Sequence, residues 1–186
     1  MSTTIGIPLL SARAVDATDL SDQQRGNIAP SPAGKFKLLP TATGFALVGE
    51  TPRGGGDTRV DTAILPVVVP SNYVAGSSAL AVVLSSAVVA LAPGQNLTPA
   101  STIGISVSRI NVDGTVTVLP VTTAAQNLTT VGVSVPTYSQ QTFDIDGSSV
   151  EPGDVLLIFV QTSLAVGQAI ETKAMICSAQ LVYATS

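Results

Sequence analysis

The chain has 186 residues, of which 45% are apolar and only 11% charged, and its formal net charge is −4. It holds no histidine, no tryptophan and one cysteine. That excludes Ser-His and Cys-His catalysis, His-ligated or Cys-cluster metal sites, and an internal disulfide. With eight bases in all, too few cations are present to neutralise a phosphate track, so nucleic acid is excluded as a partner.

Residues 1–13 lack a basic n-region, and their short apolar stretch is broken by Gly6 and Pro8, so no export signal is read there. The longest apolar run, residues 79–92, is interrupted by Ser85 and Ser86. It is too short to cross a hydrocarbon layer of about 30 Å as a helix, and no membrane partner is expected. The lone thiol suits a reducing cytoplasm.

Charge divides the chain near residue 60. Residues 1–60 hold six of the eight bases, Arg13, Arg25, Lys35, Lys37, Arg53 and Arg59, against five acids. Residues 61–186 hold two bases and seven acids. The first part is punctuated by Pro8, Pro30, Pro32, Pro40, Pro52 and Gly54-Gly55-Gly56, with apolar islands at 5–10, 36–39 and 45–48. Alone, such a segment cannot offset roughly 1–2 kcal/mol per residue of backbone ordering. It reads as an extended, mostly irregular N-terminal arm, ordered where it lies on something, with a short helix at 16–24 and a flexible joint at the three glycines.

Residues 61–186 read as strands. Residues 63–69 form a β-branched run whose Pro66 belongs at an edge or bulge. Residues 79–91 are bounded by Gly76 and Pro93-Gly94, and their valine pairs favour strand over helix. Residues 102–110 alternate, with Ile103, Ile105 and Val107 on one face, and Asp113-Gly114 signals a hairpin into 115–121. Residues 130–135 place Val131, Val133 and Val135 on one face. Residues 142–146 turn Phe143 and Ile145 inward and Asp144 and Asp146 outward. After the Pro152-Gly153 turn, residues 155–160 are apolar on both faces, which asks for cover from outside. Residues 170–184 form a long strand or two, with Met175, Cys177, Ala179, Leu181 and Tyr183 in one phase. The expectation is an all-β, jelly-roll-like antiparallel β-sandwich.

Chemistry-bearing residues are sparse. Asp144 and Asp146 are spaced for paired-carboxylate work, but also suit the polar face of a strand. Asp144, Asp146, Glu151 and Asp154 miss the spacing of a calcium loop. Cys177 lies in an apolar phase with no histidine to activate it, and reads as an inert core thiol. Gly54-Gly55-Gly56 has no following Gly-Lys-Ser/Thr and is no phosphate loop. Neither an enzyme nor a cofactor or metal is expected.

Three stretches taken in order resemble β-sandwich domains of tailed-phage structural proteins. They are Leu65-Pro66-Val67-Val68-Val69-Pro70-Ser71-Asn72-Tyr73-Val74-Ala75-Gly76, then Thr122-Thr123-Ala124-Ala125-Gln126-Asn127-Leu128-Thr129-Thr130, then Phe143-Asp144-Ile145-Asp146-Gly147 with Glu151-Pro152-Gly153-Asp154-Val155-Leu156. Ala179-Gln180-Leu181-Val182-Tyr183 extends the likeness over residues 60–186. The group resembled is that of jelly-roll capsid decoration (cement) proteins. The resemblance implies a virion structural protein on the capsid exterior, a homotrimer bound to the major capsid protein. Arm residues Arg13, Arg25, Phe36, Leu38, Leu39, Phe45, Leu47, Arg53 and Arg59 would be its capsid contacts. The uncharged strand residues Leu156, Ile158 and Val160 would be its subunit contacts. The alternatives are a head-fibre or tail-associated protein and a carbohydrate-binding sandwich module; the second is weighed down by the small number of aromatics.

Overall fold

The computed structural model describes residues 1–14, 36–41, 44–49, 58–77, 79–90, 101–128, 137–165 and 172–186. These carry β1 (Ser2–Ile7), β2 (Arg13–Ala14), β3 (Lys37–Thr41), β4 (Gly44–Val48), β5 (Thr58–Val68), β6 (Leu80–Ala90), β7 (Thr102–Ile110), β8 (Val116–Leu119), β9 (Val121–Thr122), β10 (Ala125–Asn127), β11 (Thr137–Ile145), β12 (Val155–Ala165) and β13 (Thr172–Ala184). One 3-10 turn lies at Leu9–Ser11. Sheet I runs β3-β4-β13-β6-β11-β9, with β1 also on β13; sheet II runs β10-β7-β12-β5-β2, with β8 also on β7. Every ladder is antiparallel. The expected all-β, jelly-roll-like sandwich is the fold observed. The expected helix at 16–24, the glycine joint and the strand at 130–135 fall outside the described residues.

The core lies between the sheets. Val82, Leu84, Phe143, Ile145 and Leu181 from sheet I meet Leu65, Ile103, Val107, Leu156, Ile158 and Val160 from sheet II. Burying one such side chain contributes about 1.5–3 kcal/mol. Pro66 sits opposite Leu157 of β12. On the other side of β5, β2 reaches only Ala63 and Ile64, so the missing N–H of Pro66 breaks no ladder. Asp113-Gly114 closes the β7–β8 hairpin, with Gly114 at φ 87°. A polar cluster interrupts the inner layer of sheet I: Ser86 donates to Gln141 Oε1 at 2.9 Å, and Gln141 Nε2 donates to Ser139 at 2.7 Å.

Two expectations need correction. The arm is extended, but its described pieces are pinned to the sandwich itself. β1 pairs with β13 from Ser2↔Ala184 to Ile7↔Ala179, and β4 pairs with β13 at Ile176 and Met175. The inward phase of β13 also breaks. A bulge between Ile176 and Ser178 inserts one residue, so Ala179, Leu181 and Tyr183 face inward but Ile176 and Ala174 replace Cys177 and Met175 there.

Candidate functional site

The expected contact residues scatter. Phe36 and Leu47 are buried in the core, and Leu38 packs against it, so Phe36 and Leu47 cannot contact a capsid: the β3–β4 hairpin uses them to seal its own sandwich. Leu39 and Phe45 stay 42% and 43% exposed. Arg13 is registered with Ile64, and Arg59 with Leu164. Arg25 and Arg53 fall outside the described residues. Leu156, Ile158 and Val160 are all fully buried; they face sheet I, and it is Val155, Leu157 and Phe159 that face outward. These three core residues therefore cannot be subunit contacts.

The outer face of sheet II holds a groove. Phe159 of β12 lies between Ile64 of β5 and Ser106 of β7, and the next outward positions are Gln161, Thr62 and Gly104. A concavity of about 450 Å³ opens here, with Phe159, Gln161, Thr62, Thr102 and Ser106 among its lining. One wall is the Ala124–Ala125 backbone. It is held by the Ile105 N–H, which donates to the Ala124 carbonyl at 2.9 Å, and it follows Thr123, whose φ is 53°. The wall comes so close that a Cβ at Gly104 would lie 2.6 Å from the Ala124 oxygen. Only glycine fits at that crossing. Gln161 Nε2 donates to Thr62 Oγ1 at 3.3 Å, which leaves its amide oxygen and the hydroxyls to face a ligand. Among the described residues that line it, none is charged or titratable; the backbone of Arg13 is registered with Ile64, the β5 neighbour of Phe159.

Asp144 and Asp146 line a shallower concavity of about 330 Å³ with Pro120, Val121, Thr122 and Ile145. The Ser148 N–H and hydroxyl hold the Asp146 carboxyl below the usual carboxylate range, the opposite of what a general acid requires. Among the described residues, no three His, Cys, Asp or Glu side chains gather as metal ligands.

Two tyrosines do structural work. Tyr73 Oη contacts the Gly147 and Ser77 carbonyls at 3.2 Å each. Its ring lies 6.4 Å from that of Tyr183, whose hydroxyl bonds Asn72 Oδ1. Burial pushes the Tyr73 hydroxyl up from its ordinary pKa. The Cys177 thiol, half-buried at the bulge, is likewise pushed up by burial.

The groove went unread in the sequence because it is assembled from β5, β7, β12 and the β9–β10 link. Two local signals pointed to it. Gly104 interrupts an otherwise alternating strand, which marks a close backbone approach. Phe159 and Gln161 are two residues apart on β12 and so share one face of that strand.

No family model and no curated protein matches this chain. Among solved structures, a xylan-binding module CBM15 is 13% identical with a TM-score of 0.45, covering 100% of this chain and 99% of that one. The Caldicellulosiruptor saccharolyticus CBM27-1, solved in complex with mannohexaose, is 11% identical with a TM-score of 0.45, covering 96% of each chain. Alginate lyase A1-II', a member of polysaccharide lyase family 7, is 15% identical with a TM-score of 0.39, covering 95% of this chain and 96% of that one. Likeness at this level carries no functional argument.

Proposed function

We propose that this chain is a non-catalytic β-sandwich module that binds a neutral oligosaccharide in the groove over Phe159. The observation that carries this reading is the character of the groove: an aromatic floor and a rim of amide and hydroxyl groups, with no charge among the described lining residues. A sugar ring has the matching surface, with an apolar C–H face to lie on an aromatic ring and equatorial hydroxyls to exchange hydrogen bonds. The volume falls in the usual range of ligand sites, about 300–1,000 Å³. With one aromatic in the floor, each site binds weakly, and useful retention comes from several copies acting together. The test is titration calorimetry against neutral β-linked oligosaccharides and, in parallel, polyuronates. Binding of a neutral chain that falls about tenfold or more in Phe159→Ala, about 1.4 kcal/mol, supports the reading. A wild-type protein that binds only polyuronates, or no glycan, overturns it.

A second reading keeps the expectation drawn from the phage resemblance: a decoration protein on the capsid exterior, bound to the major capsid protein. What favours it is that Leu39 and Phe45, unlike Phe36 and Leu47, remain exposed, as does Leu10. Leu10 and Phe45 share a notch at the bulge of β13. Quantitative mass spectrometry of purified particles tests it. Hundreds of copies per particle support decoration, a handful a fibre or tail part, and absence removes the virion reading.

A further inference from the structure

We infer that Thr123 and Gln126 are positioning residues for the groove, and that the wall they hold restricts it to linear glycans, chains with no branch on the edge that meets the wall. The glycan preference rests on the oligosaccharide reading; the placement of the wall does not.

The wall is the place where the chain passes from one sheet to the other. β9 pairs with β11 in sheet I, and β10 pairs with β7 in sheet II. Thr123 and Ala124 make the crossing. Thr123 has a φ of 53°, and among the described residues it is the only non-glycine at positive φ. For a β-branched side chain that conformation is an outlier, and it persists only where the surroundings over-determine it. Here they act from both sides. The Ile105 N–H donates to the Ala124 carbonyl at 2.9 Å. Gln126 Nε2 donates to the Thr142 carbonyl of β11 at 2.6 Å. β9 reaches only Asp144 and Ile145 of that strand, so Gln126 ties β10 to β11 just beyond the end of β9.

The position of the wall decides what it meets. Phe159 adjoins Ser106 of β7, and on the other side of β7 stand Ala124 and Ala125, both lining the groove. A sugar on the Phe159 ring turns one edge towards alanine backbone and methyl groups. No room is left beneath them: a Cβ at Gly104 would lie 2.6 Å from the Ala124 oxygen and 3.3 Å from the Cα and Cβ of Ala125. A hydroxyl on that edge fits. A branching sugar has to move the wall, and the wall is tied to both sheets. Rejection by such a clash needs no charge.

The test is calorimetry of the full chain with two pairs of probes, together with hydrogen exchange at the Ile105 amide. Each pair shares a backbone: cellohexaose with a xyloglucan oligosaccharide, and mannohexaose with its galactosylated form. Wild type is expected to bind a linear probe about tenfold or more tightly than its branched counterpart. Gln126→Ala loses the Thr142 bond and should speed Ile105 exchange severalfold and narrow the linear-to-branched ratio severalfold. Thr123→Pro, with φ fixed at about −65°, should do both more strongly. Thr123→Asn, which tolerates the left-handed region, should retain wild-type exchange and ratio. Variants that lower the thermal midpoint and leave the ratio unchanged would show a merely structural role and overturn the proposal. Equal affinity of wild type for linear and branched probes overturns the restriction to linear chains. Unchanged Ile105 exchange in Gln126→Ala overturns the positioning, whether or not Thr123→Pro folds. If no probe binds, the oligosaccharide reading fails, and Ile105 exchange still decides what holds the wall.

Discussion

Arg109 Nε lies 3.0 Å from Asp154 Oδ2, and the two side chains are 15% and 2% exposed. The Nε–H is not aligned as a hydrogen bond, so the attraction is chiefly between charges. Asp154 also accepts the Glu151 N–H at 2.8 Å, and an Arg109 terminal nitrogen reaches the Ser149 carbonyl. The pair thus ties β7 to the turn before β12. Removing one partner strands a buried charge, which costs about 3–5 kcal/mol. Arg109→Met should lower the urea midpoint strongly, and the double variant with Asp154→Asn should recover part of the loss. Equal effects of the single and double variants would show that the pair contributes nothing through its charge.

Gly104 is expected to tolerate no side chain. In Gly104→Ala the new methyl meets the Ala124 carbonyl oxygen, and the wall must move or the Ile105–Ala124 hydrogen bond must break. Overpacking of this kind costs about 1–3 kcal/mol. Thermal unfolding should report that loss, and calorimetry should show oligosaccharide binding reduced more than in a stability-matched core variant such as Ile103→Val.

The two arm phenylalanines should separate cleanly. Phe36 is 1% exposed within the core, and Phe36→Ala should destabilise the fold by about 3–5 kcal/mol. Phe45 sits at the surface beside the notch, and Phe45→Ala should change stability by less than about 1 kcal/mol. If Phe45 is a docking residue, its alanine variant loses particle binding with an unchanged denaturation curve.

The pH dependence should divide between fold and groove. Thr115 contacts lower the Asp113 pKa, and Ser148 contacts lower that of Asp146. Each carboxylate therefore adds stability that is present above its unfolded value of about 3.9 and is lost as pH falls through the lower folded value. Thermal midpoints should decline below about pH 4, less steeply in Asp146→Asn. Oligosaccharide affinity should stay flat between about pH 5 and 8, since no described residue that lines the groove is titratable. A sigmoidal affinity profile in that interval would place an ionisable group at the site.

Alternation made much of the sandwich legible. Ile103, Ile105 and Val107 point inward as their spacing requires, as do Phe143 and Ile145. The facing of β12 was not legible, because residues 155–160 are apolar at every position and alternation then carries no phase. Its partners β5 and β7 decide which set is buried. The β13 phase was lost for a different reason: a bulge at Cys177 leaves no mark in a run of small and apolar residues. Phe36 and Leu47 looked like islands in a proline-rich arm because the strand that receives their hairpin, β13, is more than a hundred residues away. The groove depends on three strands and a crossing backbone; Gly104 marks the close approach locally, but which strands meet there is set by long-range pairing.

The placement of β13 governs the order in which this molecule can assemble. It lies between β6 on one side and β1 and β4 on the other, and it is built from residues 172–184. Until those residues are synthesised, β1 and β4 have no central strand to join, and β6 shows an open apolar edge. Contacts spanning nearly the whole sequence, such as Thr3↔Tyr183, make closure of sheet I slow compared with local hairpins such as β7–β8. A ribosome stalled before residue 172 would therefore hold a half-built sandwich with exposed strand edges, the form most prone to aggregate and most in need of a chaperone.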